Sequence, residues 1–251
     1  MSVERRILDY QQKCYREYAQ SIGLPEVYTY PDGNPIRPLP PIQTAVGGLM
    51  IVGAYPSARF ESRQSQDQAG RNRLIPVADN LQAFGYEQYF DGVRVRPLES
   101  AEGLRKYLFL DLKMSLEQCW VTDLVKVFLY KSAHVDSCRA VHPEFPVPEL
   151  RSRFRKLGRE SLSWLREECD LCQPKLVVTL GQEVAQVVSG ELRVSADELL
   201  SREGSHPVTL GGYPTLYLPH PDACRRFEKW RKQMAERGRL VRDALGKNSA
   251  A

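Results

Sequence analysis

A three-layer α/β/α fold around a central, mainly four-stranded parallel sheet is what this sequence predicts, and two observations carry it. The runs "LMIVGAY" (49–55), "CWVTDLVKV" (119–127), "KLVVTLG" (175–181) and "PTLYLPHP" (214–221) are continuously apolar rather than alternating. Strands covered on both faces read this way, and they belong to parallel sheets. Helical patterns separate the runs, and alternating strands and helices wind into a layered sheet through right-handed crossovers.

Along the chain, Ile7, Tyr10, Cys14 and Tyr18 recur at helical spacing and predict an amphipathic helix over residues 3–21. "YPDGNPIRPLPP" follows, too rich in proline to be anything but an extended connector. Helices are expected over residues 100–114, over 149–172 ending before Pro174, in a short piece after Gly181, and from Asp222 to about Ala244. Residues 1–45 thus form an N-terminal helix and connector, and 245–251 a disordered tail, on one domain spanning 1–251.

Hydrophobic residues at 42% and charged residues at 26% fit a globular chain and exclude disordered and fibrous classes. No apolar run approaches the ~20 residues of a membrane span. The start "MSVERRILDYQQ" has no signal-like apolar core, so a cytoplasmic monomer is expected. The net charge of +4 says less than its distribution, which concentrates in "RSRFRKLGR" (151–159) and "RRFEKWRKQMAERGRLVR" (225–242). Such runs are ordinarily solvated helix faces, but beside a site they track a phosphate backbone. The six cysteines include one CxxC, Cys169 and Cys172, with no second pair to complete a metal set, so reduced structural thiols and no metal are expected.

Ligands of open parallel sheets bind beyond the carboxyl ends of the strands. Those ends carry "GAYPS", "TDLVK", "GQE" and "PHPDACRR". Asp123 follows the apolar "CWVT", and a half-buried carboxylate there either caps a loop or serves a site. His220 is braced between Pro219 and Pro221, which favours it over His134, His142 and His206. No P-loop or GxGxxG supports a nucleotide-binding alternative.

The order "GAYPS", "VTDLVK", "PKLVVTLGQEVA", "PHPDACRR" resembles the uracil-DNA glycosylase superfamily over roughly residues 45–235. That superfamily has a glycine-and-proline motif after its first strand, a T-N-V-V-K-like strand end, a P-K-hydrophobic-L-G strand and a carboxy-terminal H-P-S motif. The resemblance implies a monofunctional, cofactor-free hydrolase that flips a base out of DNA and cuts its glycosidic bond. It gives His220 the role of donor to the departing base, and Asp123, Tyr55 and Ile75 that of base-binding residues. Gly53, Pro56, Ser57, Lys126, Arg225 and Arg226 would contact DNA, with Phe227 a possible wedge although a helix core face fits it and Trp230 better.

Three departures from the family refine this expectation. "GAYPS" lacks the carboxylate or amide that many relatives carry, which moves the catalytic carboxylate downstream to Asp79, with Glu61 and Asp67 as alternatives and a helix cap as the competing role of Asp79. The cysteines that hold an iron–sulfur cluster in one branch are missing: Val127 and Ser161 stand in two of their places. Third, Asp123 occupies the position of the uracil-reading Asn. A carboxylate accepts from the N4 amino group of cytosine, and once protonated it donates to N3, so the substrate leans to a modified cytosine, such as the hydroxymethylated or glucosylated base of phage DNA. Uracil excision in repair, and an inactive relative that binds a base or abasic site, are the alternatives.

Overall fold

The four apolar runs form the centre of one sheet in a computed structural model that describes residues 1–66, 70–85, 88–90, 94–97, 99–201 and 208–246. Helix α1 (Val3–Ser21) precedes strand β1 (Leu49–Gly53), the hairpin β2 (Ala58–Gln64) and β3 (Asn72–Asp79), and a short hairpin β4 (Gln88–Phe90) and β5 (Val95–Pro97). Helix α2 (Glu99–Leu104) passes through a π-helical turn (Arg105–Phe109) into α3 (Leu110–Leu112), and β6 (Cys119–Asp123), α4 (Ser132–Val141), α5 (Phe154–Glu160) and α6 (Leu162–Cys172) follow. The chain continues as β7 (Leu176–Leu180), α7 (Gln182–Ser189), α8 (Ala196–Ser201), β8 (Val208–Leu210), β9 (Tyr213–Leu218), α9 (Pro221–Arg226) and α10 (Glu228–Ala244).

The strand order is β6-β1-β7-β9-β8, with the first four parallel and β8 an added antiparallel edge. The continuous apolar runs are explained by burial on both sides. Met50, Val52, Trp120 and Val177 pack under α1, α5 and α6, whereas Leu49, Ile51, Val121 and Val178 pack against the α2–α3 segment and α10. Alternate residues of one strand therefore feed two cores.

Two long helices expected from the sequence are each interrupted. The 149–172 pattern breaks at Ser161, whose Oγ donates to the Leu157 carbonyl at 2.8 Å and also meets Tyr18 Oη at 2.6 Å. A serine that bonds back into its own helix competes with the helix ladder. The last helix breaks at Phe227, which is extended (φ −130°, ψ 128°) between α9 and α10. The β2–β3 hairpin was not foreseen, because "ARFESRQ" and "NRLIPVAD" are charged and only half-covered, with Pro76 inside. Leu245 packs into the second core, while the tail from residue 247 lies outside the described residues. No helix of the described residues is long and apolar enough to cross a membrane.

Candidate active site

The parallel register sets the strand ends level with one another. Gly53 pairs with Asp123, and Leu180 pairs with Leu218, so the chain leaves β1, β6, β7 and β9 on one side of the sheet. A cleft of about 670 Å³ opens there, within the usual ~300–1,000 Å³ of small-molecule sites. Tyr55, Pro56 and Ser57, Asp123, Gln182 and Glu183, and His220 line it, each from a different strand end. The β2–β3 hairpin and the segment after it close one wall with Phe60, Asn80 and Phe84.

Asp123 is 4% exposed and its carboxyl makes no hydrogen bond among the described residues. Burial raises its pKa to about 7; nearby Lys126 opposes the shift and Glu168 adds to it. Gly53 gives it room. A Cβ on Gly53 would fall 2.1 Å from Asp123 Oδ1 and 2.6 Å from the Phe84 ring, so only glycine lets both side chains lie over the end of β1. Phe84 is itself held at φ +52°, a conformation costly for a bulky residue and often retained at functional sites.

His220 caps α9. Its Nδ1 accepts from the Asp222 N–H at 3.2 Å, which places the ring proton on Nε2. Burial lowers its pKa, so the ring is a neutral donor at pH 7. A second neutral histidine, His134, lies in the same cleft, stacked on Phe128 at 5.6 Å, with burial and then Lys131 lowering its pKa to about 4. Tyr55 sits beneath the Arg151 guanidinium at 5.5 Å, and Arg151 is bound in turn to Glu183.

Several expected site residues lie elsewhere. Lys126 is fully buried and paired with Glu168, so it corrects the expectation of a phosphate contact. Ile75 is fully buried in the core beneath the hairpin and is not among the described residues lining the cleft. Gly53 is covered by Asp123 and Phe84, which replaces the expected phosphate contact with a packing role. Asp79 is turned away from the cleft, where its carboxylate accepts from Tyr30 Oη at 2.8 Å and the Arg37 N–H at 3.2 Å. Glu61 pairs with Arg63 at 3.0 Å on the hairpin's outer side, and Asp67 and His206 lie outside the described residues.

Arg225 and Arg226 are exposed on α9 and both reach Asp222, at 3.2 and 2.9 Å. Phe227 is 56% exposed, which overturns its assignment to a helix core face; Trp230 does pack against the core.

The sequence profile of the Uracil DNA glycosylase superfamily matches residues 45–243. The chain belongs to that superfamily. The match begins just before β1 and runs into α10, so it covers every strand whose end builds the cleft. A search of curated proteins found no match. Uracil-DNA-glycosylase membership supports hydrolysis of a base–sugar bond with DNA as substrate. Among the described residues, no group of three or more His, Cys, Asp or Glu is placed to hold a metal ion, and the six cysteines are buried thiols.

Phe84 and Asn80 were missed by sequence reasoning, and His134 was ranked below His220. Phe84 and Asn80 lie in "DNLQAFGYE", whose polar and small residues give no periodic signal. His134 sits on α4 without the flanking prolines that single out His220, and only the fold brings it into the cleft.

Proposed function

We propose that this chain is a monofunctional DNA glycosylase that removes a flipped cytosine-type base, a 5-modified cytosine ahead of uracil. The observation that carries the reading is Asp123: a buried carboxyl at a strand end, with no hydrogen-bond partner among the described residues, facing a cleft of nucleoside size. An unpartnered buried carboxyl is costly unless a ligand satisfies it. In its neutral form Asp123 accepts from N4–H through one oxygen and donates to N3 through the other.

A neutral carboxyl meets uracil as well, by exchanging the roles of its two oxygens. Cytosine is favoured by a further step. Its N3 is basic, so the Asp123 proton passes to the ring as the C1′–N1 bond breaks, and the base departs neutral rather than as an anion. His220 Nε2–H supports the same step by donating to the O2 carbonyl, where negative charge would build. Phe84 offers a face on which the base stacks. The cleft's volume of about 670 Å³ leaves room for a ring carrying a 5-substituent, and an enzyme that requires that substituent would spare an unmodified genome.

The test is an excision assay on oligonucleotides carrying uracil, cytosine, 5-methylcytosine, 5-hydroxymethylcytosine or its glucosylated form, read by alkaline cleavage at abasic sites. Product from a modified cytosine, reduced about 10²–10³-fold in His220→Ala, is expected. Efficient release of uracil with modified cytosines untouched would return the chain to the repair reading. Tight binding without product from any base would leave an inactive base-binding relative.

Arg225 and Arg226 are proposed phosphate contacts beside Phe227 as a wedge. Exposed ion pairs with Asp222 contribute at most about 1 kcal/mol and are easily given up to phosphate. Removing either guanidinium should lower the slope of log affinity against log salt by about 1, measured by fluorescence anisotropy.

A further inference from the structure

We infer that Asn80 holds the water that attacks the sugar, the task expected of its neighbour Asp79; this rests on the glycosylase reading above. Ala58 pairs with Asp79, the last residue of the hairpin, and Asn80 follows it directly. Asp79 turns to the N-terminal connector and is held by Tyr30 and the Arg37 N–H. Asn80 turns into the cleft. It is 6% exposed, and its Oδ1 is buried with no hydrogen-bond partner among the described residues.

A buried carboxamide oxygen is rarely left unmade in a native fold. In an open cleft that also holds Asp123, Gln182 and His220, its ordinary partner is a water, held as an acceptor holds any donor. Asn80 shares this cleft with Asp123 and His220, the groups placed on the base, and with Ser57, which precedes the strand opposite it. The step then balances. The C1′–N1 pair leaves with the base, which takes the Asp123 proton at N3. The water oxygen bonds to C1′ and its released proton passes to bulk solvent through the open cleft. Asn80 gains and loses no proton; it fixes the direction of the water's lone pair.

The experiment compares single-turnover excision by wild type, Asn80→Ala, Asn80→Asp and Asp79→Asn on the base that wild type releases best. Affinity for an uncleavable 2′-fluorinated oligonucleotide and the urea midpoint are measured alongside. Asn80→Ala should lose about 10²-fold in rate, the loss expected when a reacting group is no longer positioned, with affinity and midpoint unchanged. Asn80→Asp, which keeps an acceptor, should recover most of that loss, and Asp79→Asn should stay within about threefold of wild type. Wild-type rates in Asn80→Ala, or an equal loss in Asp79→Asn, would overturn the assignment while leaving the glycosylase reading intact. If wild type releases no base at all, that reading falls and takes this assignment with it.

Discussion

Asp123→Asn is expected to abolish release of cytosine-type bases while sparing uracil, a loss of about 10²–10⁴-fold on one substrate alone. An amide matches the hydrogen bonds of either base by turning over, so geometry alone would not separate them. Proton supply does. Uracil departs as an anion spread over two carbonyls, with His220 donating to one of them. Cytosine lacks that stabilisation and leaves well only once N3 is protonated, which an amide cannot do. The pH profile follows from the same group. Asp123 titrates near pH 7, so cytosine release by wild type should be full below that value and fall about tenfold per unit above it. Uracil release by Asp123→Asn should lack that limb. Stability runs in the same direction. The folded pKa lies above the unfolded value of 3.8, so the folded state binds the extra proton, and stability is lost as pH rises from about 4 to about 7. Asp123→Asn should therefore be the more stable protein at pH 8, by at most about 4 kcal/mol. Equal losses on both bases in single-turnover assays would show that Asp123 positions the base and supplies no proton.

How much of this was legible in the sequence depends on what each feature is made of. The sheet could be read because Leu49–Val52, Cys119–Val121 and Leu176–Val178 are buried on both faces and leave no polar interval. Asp123 and His220 could be read because a polar group directly after such a run stands out, and the register then brings both to the cleft. The hairpin wall could not. Its strands expose alternate residues, and its contribution to the cleft begins after the last paired residue, where no periodicity remains. The expectation of a catalytic side chain in that segment was one residue from the group that faces the cleft, because sequence does not say which way the first residue past a strand turns. Lys126 failed for a different reason. A lysine four residues past Thr122 looks exposed in a list of residues, and only the tertiary structure shows the acid waiting beneath it.

That acid makes the second large prediction. Lys126 and Glu168 are both fully buried and paired, with Lys126 Nζ also donating to Thr122 Oγ1 at 2.8 Å and the Asp123 carbonyl at 3.2 Å. Glu168 further accepts from Tyr10 Oη at 2.6 Å and Trp120 Nε1 at 2.9 Å, so its lone pairs are satisfied and α1, α6 and β6 are tied together. Removing one member strands the other charge. Lys126→Met should cost about 3–5 kcal/mol at pH 7, measured by urea unfolding. Lys126→Met combined with Glu168→Gln should recover a large part of the loss, because no buried charge remains. The pair also bears on Asp123. Lys126 lowers its pKa and Glu168 raises it, so Lys126→Met should move the falling limb of cytosine release to higher pH and Glu168→Gln to lower pH. A merely structural pair would change stability and leave that limb in place.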